Sequence, residues 1–176
     1  WTSNSQGQFD QSAIEQRSDI LVYSSPVLTE PLEITGPITV TLYAKTTAAD
    51  TDFTAKLVDV YPDGTAINLN NGIQDAQLRD SLSHPEPVVP GKIYKYTIHV
   101  WPTSNLFKAG HKIRLEISSS DFPQFAPNPN TGEPFGTTTK WVTAMQTILH
   151  DPEHPSSLTL PVIPAALAAL GGAADA

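Results

Sequence analysis

Hydrophobic and polar residues alternate along several short segments of the chain. In residues 38–44 the apolar side chains take every second position, and threonines and Tyr43 take the others. Residues 94–100 and 113–117 follow the same period of two. Successive side chains of a β-strand point to opposite faces of its sheet. Each segment is therefore predicted to be a strand with one buried face and one solvated face.

A fourth stripe changes phase partway along. Phe53, Ala55 and Leu57 alternate with polar or small residues, and the apolar positions then shift to Val58 and Val60. One extra residue in a strand produces such a shift. The sequence therefore predicts a β-bulge near Leu57.

The rest of the chain completes an all-β pattern. Further strands are predicted at residues 20–23, 65–69, 140–149 and 158–162, and helical turns only near 75–79 and 103–108. Turn sequences separate the strands: Pro62-Asp63-Gly64, Asn71-Gly72, Pro90-Gly91 and Ala109-Gly110. About eight or nine short strands, with scarcely a helical period, predict a β-sandwich of the jelly-roll or Greek-key kind.

Composition limits the classes of protein to which the chain can belong. Its 176 residues contain no cysteine, which excludes disulfides and thiolate chemistry. The formal net charge of −8 argues against a nucleic-acid partner, because phosphate binding needs clustered Lys and Arg. No apolar run reaches the roughly 18 residues that span a bilayer, so no membrane partner is expected. The length suits one domain, and the compartment stays open between cytoplasmic and exported.

Three segments lie outside the strand pattern. Residues 1–18 are predicted to lead in from a preceding domain, residues 19–163 to form the sandwich, and residues 164–176 to form a flexible Ala- and Gly-rich tail. Residues 120–136 hold four prolines together with Phe122, Phe125 and Phe135. Connections of this length are uncommon and are usually functional or packed on something. We therefore expect the three rings to contact either this sandwich or another domain.

Candidate catalytic and metal-binding residues are few. No Gly-x-Ser-x-Gly nucleophile elbow is present, so no catalytic residue is predicted. His150 and His154 have the i, i+4 spacing of a zinc helix, but Pro152 prevents a regular helix there. A turn is the favoured interpretation, and no metal or cofactor is expected.

Asp50 and Asp52 stand at the entry of an apolar strand. Two carboxylates could contribute to a calcium site, yet calcium prefers six to eight oxygens. An unpaired carboxylate in such surroundings would be costly. The favoured hypothesis is a structural ion pair between Asp52 and Arg79, with Arg114 as the second candidate.

A set of motifs, taken together and in order, resembles a known family. The motifs are residues 51–64, Ser81-Leu82-Ser83-His84-Pro85, Trp101-Pro102-Thr103-Ser104-Asn105, residues 109–120, Phe122-Pro123-Gln124-Phe125, Asn128-Pro129-Asn130-Thr131-Gly132 and Glu153-His154-Pro155-Ser156. With these motifs, the chain is similar to the C-terminal β domain of the X-Pro dipeptidyl-peptidase and cocaine esterase group of serine hydrolases, over about residues 10–164.

The resemblance implies a fold, a partner and a role. The fold would be a jelly roll of the galactose-binding-like type. The partner would be an α/β-hydrolase domain of the same parent chain, which carries the Ser–Asp–His triad and a helical cap and precedes the β domain. The role would be non-catalytic: the β domain buttresses the catalytic domain and helps to wall its substrate cleft. No triad motif of the family falls within this sequence, so no catalytic residue carries over.

Two hypotheses therefore remain after the sequence. The favoured one is an accessory domain whose residues 120–136 face the catalytic domain, with self-association through the same patch as a further possibility. The alternative is a free-standing carbohydrate-binding module that stacks sugars on Trp1, Trp101 and Trp141, although core packing is the default for such rings. Whether the parent cleaves peptides, esters or β-lactam side chains is left open.

Overall fold

The computed structural model describes residues 7–164, in which eight β-strands and one 3-10 helix occur. The 3-10 helix covers Ile14–Gln16. The strands are β1 (Leu21–Ser24), β2 (Leu32–Thr46), β3 (Asp52–Val60), β4 (Ala66–Asp75), β5 (Tyr94–Phe107), β6 (Lys112–Ser118), β7 (Gln146–Leu149) and β8 (Ser157–Thr159). None of the helices described there is long and apolar enough to cross a membrane.

The strands form two antiparallel sheets. One has the order β1-β6-β3-β4, and the other has the order β5-β2-β7 with β8 also paired to β2. The inward residues of both sheets build one hydrophobic core, in which the largest fully buried side chains are Tyr96, Phe53 and Phe107. The predicted all-β sandwich is thus confirmed, and its galactose-binding-like type remains a prediction.

The predicted bulge in β3 is present. The pairing of β3 with β4 shifts between Leu57 and Val58. Leu57 belongs to the main core, whereas Val58 and Val60 form a small separate cluster with Ala66. The change of phase in the sequence therefore marks the point where β3 stops facing one hydrophobic cluster and starts facing the other.

The prediction of a turn at Asn71-Gly72 is wrong, because both residues lie inside β4. A Cβ added to Gly72 would stand 2.3 Å from the His99 carbonyl oxygen of the opposite sheet. Glycine is needed here because the two backbones approach closely, which is one of the reasons for glycine within a strand.

Two further boundaries differ from the prediction. The helical turn expected at residues 103–108 is instead the end of β5, where Phe107 pairs with Leu32. The strand expected at residues 140–149 is limited to Gln146–Leu149. In both places the pattern of polar and apolar residues fits more than one conformation. Hydrogen bonding to β2 determines which residues form the strand.

The segment before β1 packs on the sandwich. Asp10 forms a bridge with Ile67, and Gln11 is 6% exposed and accepts a hydrogen bond from Lys56 at 3.1 Å. Residues 10–17 are therefore held against β3, β4 and β6. Trp1 and the predicted tail from residue 165 onward lie outside the described residues.

Candidate domain interface and acidic cavity

Residues 120–136, here named the aromatic loop, present two rings to solvent. Phe122 is 70% exposed and Phe135 is 80% exposed, whereas Phe125 is half-buried. The structure therefore divides the three predicted interface residues into two exposed rings and one ring that packs partly on the domain. Single exposed hydrophobic residues are ordinary, but two nearly bare rings on one segment need a reason.

The start of the aromatic loop is tied to β3 and β4 by polar contacts. Asn71 on β4 donates from its amide to the carboxylate of Asp121, and also to Gln124 Oε1 at 2.7 Å. Lys56 Nζ on β3 lies 3.6 Å from Asp121 Oδ1. These contacts hold the backbone beside Phe122 in a defined place.

The middle of the aromatic loop is anchored by Asn128. Its amide nitrogen donates to Asp50 Oδ2 at 2.9 Å and to Asp52 Oδ1 at 3.1 Å. Its amide oxygen accepts from the backbone N–H of Asn130 at 2.8 Å. Asn130 in turn donates to the Val142 carbonyl oxygen, so the loop is also joined to the segment that leads into β7.

Asp52 does not form the predicted ion pair with Arg79 or Arg114. Arg79 Nη2 lies 3.1 Å from Glu86 Oε2, and its Nη1 donates to two carbonyl oxygens. Arg114 Nη1 lies 2.5 Å from Glu15 Oε2. Arg79 thus pairs with an acid of a loop, Glu86, and Arg114 pairs with an acid of the segment before β1, Glu15. The partner of Asp52 is instead the neutral amide of Asn128.

The surroundings of Asp52 disfavour its charged form. Asp52 is 7% exposed, and burial is the main reason that its pKa is raised to about 7. The nearby charges of Asp75 and Asp50 raise it further, whereas the hydrogen bond from Asn128 opposes the rise. The pKa of Asp75 is also raised, first by burial and then by Asp50. Desolvation and like charges thus act together.

A cavity of about 290 Å³, here named the acidic cavity, opens beside these carboxylates. Its floor is acidic and its rim is formed largely by the aromatic loop. The residues that line it are Asp50, Asp52, Asp75, Gln77, Leu78, Pro85, Ala126, Asn128, Pro129, Gly132, Glu133, Pro134 and Phe135. Sequence reasoning found Asp50 and Asp52 but missed Asp75 and Asn128. The Asn128-Pro129-Asn130 turn sequence was the available signal for Asn128.

A second cavity, of about 420 Å³, lies between the strands of the two sheets. Leu42, Leu115 and Leu158 are among its lining residues, and no Asp, Glu, Lys or Arg lines it. Hydroxyl groups, among them that of Tyr23, and the imidazole of His150 also line it, so the cavity combines apolar contact with a few hydrogen-bonding groups.

The histidines of residues 7–164 do not form a catalytic triad. His84 contacts the Ser83 hydroxyl at 2.9 Å but no carboxylate. His111 and His154 contact Asp59 and Asp151 respectively, but neither ring contacts a serine hydroxyl. A nucleophile, a base and an orienting acid must meet in one place, and in this part of the chain they do not.

The remaining candidates are distributed as follows. His150 and His154 flank a turn, as the sequence predicts, and no group of three His, Asp or Glu residues among 7–164 is placed to hold a metal. Trp101 and Trp141 are 65% and 66% exposed, so core packing was the wrong expectation for both. The outward face of β5 and the unpaired segment before β7 account for their exposure.

Comparison with known proteins agrees with this architecture. Residues 2–159 match the family model described as the X-Pro dipeptidyl-peptidase C-terminal non-catalytic domain. Cocaine esterase from Rhodococcus sp. (strain MB1 Bresler) is 45% identical over 159 residues, which are 89% of this chain and 28% of that protein. The chain thus spans little more than a quarter of that relative.

Solved structures of two hydrolases share the fold. An aminopeptidase from a marine sediment Thaumarchaeota archaeon superposes with a TM-score of 0.83 at 30% identity, over 88% of this chain and 27% of that one. An alpha-amino acid ester hydrolase gives a TM-score of 0.83 at 31% identity with the same coverage. The chain belongs to the family of X-Pro dipeptidyl-peptidase C-terminal non-catalytic domains.

Proposed function

We propose that this chain is the accessory domain of a serine hydrolase and that its aromatic loop docks on the α/β-hydrolase domain. In that position the domain buttresses the catalytic domain and forms part of the wall of its substrate cleft. Hydrolysis takes place through a triad carried by the catalytic domain, and the substrate is an ester or an amide, including peptides from which an N-terminal X-Pro dipeptide is released.

The observation that carries the proposal is the state of the aromatic loop. Phe122 and Phe135 are exposed, yet the loop that bears them is fixed by hydrogen bonds to Asn71, Asp50 and Asp52. Exposed aromatic residues on a preorganised backbone suit an interface, because little entropy is lost when they are buried. Three more exposed hydrophobic residues, Trp141, Val142 and Met145, follow on the segment that is bonded to this loop.

The test is the double substitution Phe122→Ser and Phe135→Ser, made in this chain and in the complete hydrolase. We expect kcat/KM of the complete enzyme to fall tenfold or more, or its melting temperature to fall markedly. The melting temperature of this chain alone should shift by less than about 2 °C, because substituting exposed residues changes stability by only about 0.5 kcal/mol.

Two control variants sharpen this test. Leu106→Ser removes a side chain that is 52% exposed on β5 and should leave the complete enzyme unchanged. Phe125→Ser should destabilise both this chain alone and the complete enzyme, because this ring is half-buried. A fully active, fully stable double variant of the complete enzyme would refute docking through the loop.

Two properties of the isolated chain follow from the proposal. Purified chain should not hydrolyse p-nitrophenyl esters or aminoacyl-proline anilides, since the triad belongs to the catalytic domain. The uncovered aromatic loop should also promote weak self-association, which sedimentation equilibrium would detect and the double serine variant would abolish.

A carbohydrate-binding module is the second candidate function, and the exposure of Trp101 and Trp141 is the observation that favours it. Indole rings accessible to solvent can stack on sugars. Titration of the chain with oligosaccharides, followed by tryptophan fluorescence, would decide. Saturable quenching that is lost in Trp101→Ala or Trp141→Ala would support this second function.

A further inference from the structure

We propose that the acidic cavity is a subsite for a guanidinium group, which an arginine of the catalytic domain inserts when the two domains dock. The choice of that partner rests on the proposed function, whereas the charge preference of the cavity follows from this chain alone.

The cavity contains more negative charge than its surroundings balance. Asp52 and Asp75 face each other directly across the β3–β4 pair, an arrangement in which like charges are destabilising. Asp50 also lines the cavity, is 5% exposed, and its Oδ1 has no hydrogen-bond partner among residues 7–164. Within residues 7–164, no Lys, Arg or His forms an ion pair with any of these three aspartates.

Neutral donors provide only part of the compensation. The amide of Asn128 serves one oxygen each of Asp50 and Asp52. Backbone N–H groups of Gln77 and Leu78 serve Asp75 Oδ1. Buried carboxylates usually have a cationic partner as well, because a neutral hydrogen bond recovers only part of the lost hydration. A cation from outside the domain would meet this need.

An organic cation fits the cavity better than a metal ion. Calcium requires six to eight oxygens at 2.3–2.6 Å around one point, and the described acidic side chains do not converge in that way. A guanidinium group presents five N–H donors in a planar fork, which can bridge carboxylates that stand apart. The volume of about 290 Å³ also exceeds the needs of a single ion.

The rim suits the remainder of an arginine side chain. Phe135, Pro129 and Pro134 line the cavity together with the acids. An aromatic face attracts a guanidinium group, and apolar surface accommodates its methylene stem. Phe135 is also one of the two exposed rings that are proposed to contact the catalytic domain. A side chain that enters the cavity from that domain would therefore pass beside it.

The test uses this chain and two small probes of equal charge, n-butylguanidinium and n-butylammonium chloride, with sodium chloride as the ionic-strength reference. We expect butylguanidinium to raise the melting temperature saturably, by about 3–6 °C at ten times its dissociation constant. Butylammonium should give a smaller shift. Asp75→Asn should lose the response, because it removes one of the negative charges in the cavity. The variant should still fold, since Asn keeps the oxygen that accepts from Gln77 and Leu78. Glu30→Gln, which removes one exposed charge elsewhere, should keep it.

Each other outcome overturns the assignment. Equal shifts with both probes, or a response that survives in Asp75→Asn, would mean that no guanidinium subsite exists. A saturable rise with calcium chloride and none with butylguanidinium would make the cavity a metal site. Absence of any response would mean that the aspartates are satisfied by shared protons. Because the catalytic domain takes no part in this test, failure here would leave docking through the aromatic loop untouched.

Discussion

The two ends of β3 each bury an aspartate and treat it differently. Asp59, near the end of the strand, lies 2.8 Å from His111 Nδ1, and both residues are buried. Tyr61 covers that imidazole with a ring-to-ring distance of 4.5 Å. Asp52, at the start of the strand, accepts a hydrogen bond from the amide of Asn128 and faces Asp75 across the sheet.

This contrast shows which end of the sandwich is complete by itself. At the Asp59 end the domain supplies the partner and the ring that shields it. At the Asp52 end no basic residue in the described part of the chain pairs with these acids, and the element that covers them is the aromatic loop with its exposed rings. A fold tolerates such an uncompensated site where function requires it. We infer that this end faces the rest of the hydrolase.

The largest expected effect on the free energy of unfolding is at the Asp59 end of β3. His111→Ala would leave the buried carboxylate of Asp59 without its partner, which should lower the free energy of unfolding by about 2–5 kcal/mol. Urea denaturation at pH 7 measures this. His154→Ala is the matched control, because that ring contacts the more exposed Asp151, and it should cost less than about 1 kcal/mol. Equal losses in the two variants would remove the contrast between the ends.

The next effect has the opposite sign. Asp52→Asn should raise the free energy of unfolding by about 1–3 kcal/mol at pH 8, because it removes a buried like charge and keeps an oxygen for Asn128. The pH dependence follows from the pKa of about 7. The folded state holds this proton more tightly than the unfolded state, so the contribution of Asp52 to stability is fully present below about pH 4 and is lost as the pH rises through about 7.

Comparison of the variant with the parent chain isolates this contribution. Burial also raises the pKa of Glu116, so both chains will lose some stability over the same pH range. The curve of Asp52→Asn should be flatter than that of the parent chain between pH 4 and 8. Parallel curves would show that Asp52 is charged throughout, and a destabilised variant at pH 8 would show that its charge has a partner.

The smallest effect concerns the shape of the aromatic loop. Asn130 has a positive φ of 63° and donates to the Val142 carbonyl oxygen at 2.8 Å. Asn130→Ala should cost about 1 kcal/mol, through backbone strain and the lost hydrogen bond. Asn130→Gly removes the hydrogen bond alone and should cost less. Limited proteolysis should cut the loop faster in the alanine variant, and identical rates would mean that this anchor is dispensable.

The sequence predicted the sheets better than their contacts. Period-two stripes located β2, β3, β5 and β6, and the phase change located the bulge at Leu57, because both follow from local alternation. The turn predicted at Asn71-Gly72 was wrong, because this glycine is required by the close approach of the His99 backbone in the other sheet. That approach depends on how two sheets pack, which no local pattern contains.

The candidate site was predicted only in part, because its contacts also depend on how distant segments pack. Phe122 and Phe135 could be found because aromatic rings in a Pro-rich connection are conspicuous. The partner of Asp52 could not, because Asn128 is 76 residues away and carries no charge. Opposite charge suggested an arginine, but Glu86 and Glu15 hold Arg79 and Arg114 elsewhere.

The most direct measurement is the titration of Asp52 itself, in this chain alone and in the complete hydrolase. Carbon-13 NMR of the aspartate side-chain carboxyls, assigned with Asp52→Asn, reports its pKa in each. If the catalytic domain docks at this end and brings a cation, the pKa should be about 7 in the isolated chain and below the ordinary value of 3.8 in the complete enzyme. The same raised pKa in both would contradict the account, because the acidic end would then remain uncompensated in the assembled protein.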